Sequence, residues 1–229
     1  SVPMMLQCRT LCWRGKCASR HGLFSRALSI QVFDRQLKAH QRNCAALAPD
    51  LEKYMYLHNE VSSRLMDRLD DIHESYVFRD VVDLGCATGQ TRRALAGREV
   101  ERLIECDSSQ AMLDLSAADA AGPNPPEFVV EQRLLDEEVP MLEKESADLI
   151  VSSMALHWVN DLPGLLKLIR RALRPNGLFL AAFLGGETLA EMRSSFVLAD
   201  LERHGGVSQH MSPLASVADA GRLLQAQPL

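Results

Sequence analysis

The chain has 229 residues, 47% of them hydrophobic and 5% aromatic, with a formal net charge of −5. That composition suits a globular protein able to bury a sizeable core, and it excludes wholesale disorder, a collagen-like chain and a disulfide scaffold. The longest apolar run, Gly177–Gly186, has ten residues, about half of what a membrane-spanning helix needs, and the mild acidity argues against a general nucleic-acid binder.

Charge divides the chain into two parts. Residues 1–33 contain Arg9, Arg14, Lys16, Arg20 and Arg26 and no Asp or Glu, so this segment carries +5 and the remainder −10. An Arg-rich, Ser-containing, acid-free start is the composition of a mitochondrial transit peptide, and basic residues interrupt every apolar run that a secretory signal would need. The plainer alternative is a basic tail that binds nothing in particular. Ser1 stands where a Met is expected and Met4-Met5 follow, which reads as a fragment or as a start upstream of the true one. Cys8, Cys12 and Cys17, spaced C-x3-C-x4-C with no acidic neighbour, make a poor zinc site. The scattered Cys44, Cys86 and Cys106 point to a reducing compartment.

Residues 34–75 form a polar, helix-forming extension in which Val61, Leu65, Leu69 and Ile72 recur at three- and four-residue steps. From residue 76 onward, short β-branched or aliphatic runs alternate with helical stretches. Strands are predicted at 79–85, 100–106, 127–132, 147–153 and 177–183, and helices at about 90–97, 109–119 and 161–173. This alternation specifies βαβ units and a parallel sheet, and right-handed crossovers then give a doubly wound α/β fold. Pro123, Pro125 and Pro126 end the second of these helices. Arg174-Pro175-Asn176-Gly177 is a tight turn launching the fifth strand.

The sharpest local feature is Val81-Val82-Asp83-Leu84-Gly85-Cys86-Ala87-Thr88-Gly89, a strand entering a small-residue loop that opens a helix. Small residues are required where backbone approaches a ligand and turns sharply, although a tight turn with no ligand would read the same. Eighteen residues after Gly89, Asp107 stands at the end of the second strand in Cys106-Asp107-Ser108-Ser109-Gln110-Ala111-Met112. An acid there can accept both hydroxyls of a ribose, while Ser108 or Ser109 caps the following helix. The loop lacks G-x-G-x-x-G spacing, which disfavours a dinucleotide and favours an adenosine ligand without pyrophosphate.

These motifs together resemble the class I S-adenosylmethionine-dependent methyltransferases, in family order over residues 79–184. The resemblance implies that Asp83, Gly85, Ala87 and Gly89 surround the methionine moiety and that Asp107 holds the ribose, with Cys86 and Ser108 also among the cofactor-binding residues. It also places Met112 against the adenine and Asp136, from Asp136-Glu137-Glu138-Val139-Pro140, near the adenine amino group. Ala87 departs from the pattern, because a glycine is usual there and a methyl would sit where backbone meets ligand. A narrower resemblance comes from Val32-Phe33-Asp34-Arg35-Gln36-Leu37-Lys38, Leu156-His157-Trp158-Val159-Asn160-Asp161-Leu162-Pro163, Gly185-Gly186-Glu187-Thr188-Leu189 and Glu202-Arg203-His204-Gly205-Gly206. It is to the mitochondrial complex I assembly factors of methyltransferase fold, relatives of the bacterial malonyl-carrier-protein methyltransferases. It implies a matrix protein, with peripheral contact to the inner membrane, that hydroxylates an arginine of a complex I iron–sulfur subunit.

Each remaining polar feature has two readings. His157 and Trp158 follow the fourth strand, where ligand clefts open; they are substrate candidates, or else a packing Trp and a capping His. His58-Asn59-Glu60 has the spacing of two metal ligands but lies on a solvated helical stretch, and no metal site is assigned. The acidic 136–145 stretch is expected to be a solvated loop, though an Arg-bearing substrate would suit it. Two other functions stay open: a methyltransferase of a small molecule or carrier-protein thioester, and a non-catalytic assembly scaffold. The 76–229 domain reads as incomplete after strand five, which leaves Gly177–Phe183 as an apolar edge.

Overall fold

The computed structural model describes residues 31–73, 76–208 and 212–226; the expected presequence, apart from its last three residues, lies outside them. Three helices come first: α1 (Arg35–Ala46), α2 (Leu51–Tyr54) and α3 (Tyr56–Asp67), the last continuing as a short 3₁₀ turn over Arg68–Asp71. Asp34 starts α1 by accepting the Leu37 amide at 3.0 Å, the usual side-chain cap for otherwise orphaned helix amides. The predicted stripe is the buried one. Leu65 and Leu69 are in the core together with Met66, and Ile72 packs at its margin.

The alternating part follows as β1 (Asp80–Leu84), α4 (Gln90–Ala94), β2 (Arg102–Asp107), α5 (Gln110–Ala120), β3 (Val129–Leu134), β4 (Ala147–Ser153), α6 (Leu162–Ala172) and β5 (Leu173–Ala182). Two C-terminal helices close the described chain, α7 (Ala190–His204) and α8 (Val217–Gln225). The five strands form one sheet in the order β3-β2-β1-β4-β5, and every neighbouring pair is parallel. The expected doubly wound class is therefore the observed one.

Side-chain alternation in the strands supplies two cores. Val82, Ile104 and Ile150 face one side of the sheet, packing with Leu165, Leu166 and Ile169 of α6. Val81, Leu103 and Leu149 face the other, packing with Leu65, Met66, Leu69 and Leu95. Period-two alternation on central parallel strands thus buries both faces, each fully buried aliphatic contributing about 1.5–3 kcal/mol. Helix α6 suits its place: Asp161 caps it through the Gly164 amide at 2.8 Å, and Pro163 sits in its first turn, where a missing N–H costs nothing.

The predicted turn at 174–177 survives inside the fifth strand, which starts earlier than expected. Ala147 pairs with Leu173 and Leu149 with Leu178, so residues 174–177 bulge from the ladder with Asn176 in the left-handed region at φ 65°. β5 is an edge strand, as expected.

A buried polar network ties α4 to the sheet. Arg92 Nε donates to Glu105 at 3.1 Å, Arg92 Nη2 to Asp119 at 2.7 Å, and Ser116 Oγ and Gln132 Nε2 both donate to the second Glu105 oxygen. Its members are satisfied, which makes removing any one of them costly.

Strand order reverses between β1 and β4, and a ligand crevice is expected outside the carboxyl ends of those strands. Of the sequence-derived residues, Ala87, Ser108, Met112 and Trp158 line a cleft there, whereas Asp136 and His157 do not.

Candidate functional site

The loop after β1 turns by repeated left-handed residues: Gly85 at φ 83°, Ala87 at 51° and Gly89 at 80°. Gly85 is required twice over. Its conformation disfavours L side chains, and a Cβ there would collide with the Ala155 side chain. Ala87 adopts the same region, and its methyl packs with Ala46, Met55 and Met112. The unusual methyl therefore faces the N-terminal helices. The Ala87 amide donates to Asp107 Oδ2 at 2.9 Å, so one loop N–H expected to face a ligand is already engaged by protein.

Asp107 ends β2 with no exposed surface. Its Oδ1 accepts from the Ser109 amide at 2.9 Å and from Arg42 Nε at 3.0 Å; its Oδ2 accepts from Ala87 N and from Arg42 Nη2. Ser109, not Ser108, caps α5, accepting the Met112 amide at 3.2 Å. Ser108 is held by Glu137 Oε1, its hydroxyl donating at 3.1 Å.

Asp83, at the last turn of β1, is 1% exposed, and neither carboxylate oxygen has a hydrogen-bond partner. Burial pushes this carboxyl up to about 8; the nearby Thr91 hydroxyl tempers the rise, and Glu105 and Asp107 add to it. Burial likewise drives the Cys86 thiol well above its ordinary value and Cys106 up to about 12, so both are inert buried thiols.

A cleft of about 310 Å³ opens over this loop, at the lower end of ligand-pocket sizes. Ala87, Ser108 and Met112 line its floor with Glu137, Ala155 and Trp158, while Arg35, Lys38, Arg42, Tyr54, Met55 and His58 line its roof. The roof was not recognised as part of the site from sequence. Arg35, Lys38 and Arg42 are three and four residues apart on α1, one stripe of a helix, and that spacing was the available signal.

The acidic stretch departs from the solvated loop expected only at its start, since Glu143 and Glu145 are exposed. Glu137 and Glu138 are 4% and 9% exposed, because an arginine of the chain itself occupies them. Arg35 donates to Asp136 Oδ1 through Nε at 3.0 Å and Nη2 at 2.8 Å, to Glu137 through Nη2, and to the Trp158 carbonyl at 3.1 Å through Nη1. Burial and the Asp107 charge push the Glu137 carboxyl up, against Arg35 and Arg42. Glu137, which was not assigned from sequence, faces the cleft; Asp136, which was, stands outside its lining, paired with Arg35.

His157 and Trp158 divide. Trp158 is in the cleft wall with Lys38 Nζ 3.3 Å from its ring centroid and Phe33 edge-on at 5.4 Å. His157 lines a separate pocket of about 170 Å³ with Phe33, Leu156 and Phe183. Burial, then repulsion from His58, Lys38 and Arg42, lowers it to about 4, so it is neutral at physiological pH, and its Nδ1 is buried without a partner. Among the described residues no group of three or more His, Cys, Asp or Glu could hold a metal ion.

The fold and the loop define a methyltransferase-like domain of class I type, and residues 82–181 match the family model described as a methyltransferase domain. Solved structures agree on the fold. The methyltransferase complexed with the Trm112 activator of Haloferax volcanii superposes with a TM-score of 0.62 at 20% identity, over 81% of this chain and 75% of that one. A SAM-dependent methyltransferase of Leishmania major gives 0.60 at 17%, over 83% and 72%. Sequence relatives are closer. The mitochondrial arginine-hydroxylase NDUFAF5 of Danio rerio is 37% identical over 88% of this chain and 60% of its own length, and that of Homo sapiens 39% identical over 86% and 54%. A malonyl-[acyl-carrier protein] O-methyltransferase of Xylella fastidiosa is 28% identical over 89% and 62%. The chain is thus a class I methyltransferase-fold homologue of the NDUFAF5 arginine-hydroxylases, spanning little more than half the length of the curated relatives it matches.

Proposed function

We propose that the cleft binds S-adenosylmethionine and that the protein serves assembly of mitochondrial complex I from the matrix side by hydroxylating an arginine of a complex I subunit, a reading supported by the relatives named as mitochondrial arginine-hydroxylases. The observation carrying the cofactor reading is the pair of buried acids at adjacent strand ends. Asp107 is a fully buried carboxylate beside the cleft floor, of the type that accepts a ribose diol. Asp83 is a buried carboxyl lacking a partner, and a cationic ammonium would supply one.

These residues fit the cofactor in kind. Asp107 and Ser108 would hold the ribose, Met112 would pack on the adenine, and Gly85 keeps side-chain atoms away from the loop. Asp83, Cys86, Ala87 and Gly89 would border the methionine portion, and Trp158 would meet the substrate. When bound, S-adenosylmethionine supplies an electrophilic methyl group and no oxygen atom, so the hydroxylation takes its oxygen from dioxygen, with two electrons from an external reductant releasing the second oxygen as water; the chain's own contribution is to orient partners and exclude bulk water. No helix among the described residues is long and apolar enough to cross a membrane; peripheral association with the inner membrane is part of the proposal. No role for nucleic acid is proposed.

The Xylella relative favours a second reading, methyl transfer to a carrier-protein thioester. Product mass separates the two. Full-length protein incubated with the candidate subunit should yield an arginine heavier by one oxygen; a gain of one methylene would replace hydroxylation with methyl transfer. An unmodified arginine with intact cofactor binding would point to a scaffold.

A further inference from the structure

We infer that the segment from Val32 to Ala46 gates the cofactor cleft, with Arg42 acting as an intrachain counter-ion that holds Asp107 and must release it before a ribose can bind. The inference rests on the proposal that this cleft takes S-adenosylmethionine, and it concerns access to that site.

One carboxylate has a limited capacity for donors. Two oxygens offer about four acceptor sites, and at Asp107 four donors are in place: the Ser109 and Ala87 amides, and Nε and Nη2 of Arg42. The amides belong to the loop and the helix cap and are fixed with the fold. A ribose diol brings two O–H donors, so it can be accepted only where the two guanidinium donors now stand. Diol and Arg42 are mutually exclusive ligands of Asp107.

Seven residues earlier on the same helix face, Arg35 engages Asp136 and Glu137 in the same way. One helix thus places two guanidinium groups on acidic side chains bordering the cleft, and moving that helix would free both. Its attachment is largely polar, the apolar contacts being Ala46 against Met55, Ala87 and Met112 and Phe33 edge-on to Trp158. Of the twelve residues of α1 only Ala46 is buried. Asn160 Oδ1 accepts the Val32 and Phe33 amides at 2.9 and 2.7 Å, and Asn43 Oδ1 accepts from Ser109 Oγ at 2.7 Å and the Ala111 amide at 3.2 Å. A segment held by ion pairs and side-chain amides, with little apolar burial, is drawn from the low-stability end of a fold. The device is self-competition: the ligand's apparent affinity is its intrinsic affinity reduced by the fraction of molecules with Arg42 released.

The test is calorimetric titration with 5′-methylthioadenosine, which carries the ribose diol and no carboxylate that could recruit the freed arginine. Arg42→Ala should bind it about tenfold more tightly than the unaltered chain. Arg42→Gln, which cannot form the paired contact, guards against a folding defect and should shift the same way. Hydrogen exchange on the unaltered chain gives an independent reading, with amides of residues 35–46 losing protection on saturation. Equal or weaker binding by both variants, or unchanged protection across 35–46, overturns the gate while leaving the cofactor reading standing. No binding of methylthioadenosine or S-adenosylmethionine to any of these proteins overturns the cofactor reading and the gate with it.

Discussion

Replacing Asp83 with Asn should make the protein's stability less sensitive to pH, and the size of the effect follows from burial. The carboxyl is 1% exposed, lacks a hydrogen-bond partner, and is pushed from 3.8 to about 8. In the unfolded chain it loses its proton near the ordinary value, whereas in the folded chain it keeps it until about 8. Between those limits the folded state binds a proton that the unfolded state has shed, so stability falls as pH rises, by up to about 1.4 kcal/mol per unit. Asparagine resembles the neutral acid in shape and does not titrate. From about pH 5 to pH 8 the variant should therefore gain on the unaltered protein by about 3–4 kcal/mol, an upper bound set by that slope. Urea unfolding of both proteins at intervals across the range measures it. Parallel stability curves would refute the reasoning, because they would mean that Asp83 is ionised and paired in the folded state.

The buried pair Arg92–Glu105 should behave as a unit: Glu105→Gln removes one of the two carboxylates that pair with a guanidinium 4% exposed, leaving Asp119, and should cost about 1.5–3 kcal/mol in chemical denaturation. Converting both residues to apolar ones should cost less. Gly85→Ala combines φ 83° with a collision against Ala155 and should lose about 3 kcal/mol or more, read as a drop in melting temperature. Asn160→Ala removes acceptors from the Val32 and Phe33 amides and should raise hydrogen exchange in residues 32–46 while leaving β1 and β4 protected. His157, lowered to about 4, should remain neutral by NMR at pH 6. Its stability contribution is present above the ordinary value of 6.5 and is lost as pH falls from there toward 4, so His157→Phe should flatten that acid limb.

Much of the fold was legible because parallel strands buried on both faces leave near-continuous aliphatic runs. The stretches around Val81, Leu103 and Ile150 are such runs, and α5 and α6 carry their own side-chain caps, Ser109 and Asp161. Asp83, Gly85 and Asp107 were legible for a related reason: each lies at a strand end within a short motif. The roof of the site was not. Arg35 meets Glu137 across 102 residues and Arg42 meets Asp107 across 65, and such contacts leave no local periodicity. Glu137 and Glu138 read as solvent-facing because acidic runs usually are. They are buried because Arg35 and Asn160 arrive from elsewhere in the chain, and sequence spacing cannot register that. The split of His157 from Trp158 has a similar origin, since a single 3₁₀ turn directs neighbouring side chains into different pockets.

The central claim is that two buried acids at the ends of β1 and β2 make this a cofactor-binding cleft. Calorimetric titration of S-adenosylmethionine into the unaltered protein and into Asp107→Ala tests it most directly. The account predicts saturable one-to-one binding by the unaltered protein and its loss in the variant, with hydrogen exchange showing the variant's sheet still folded. Binding of equal strength in both, or no binding by the unaltered protein, would contradict it.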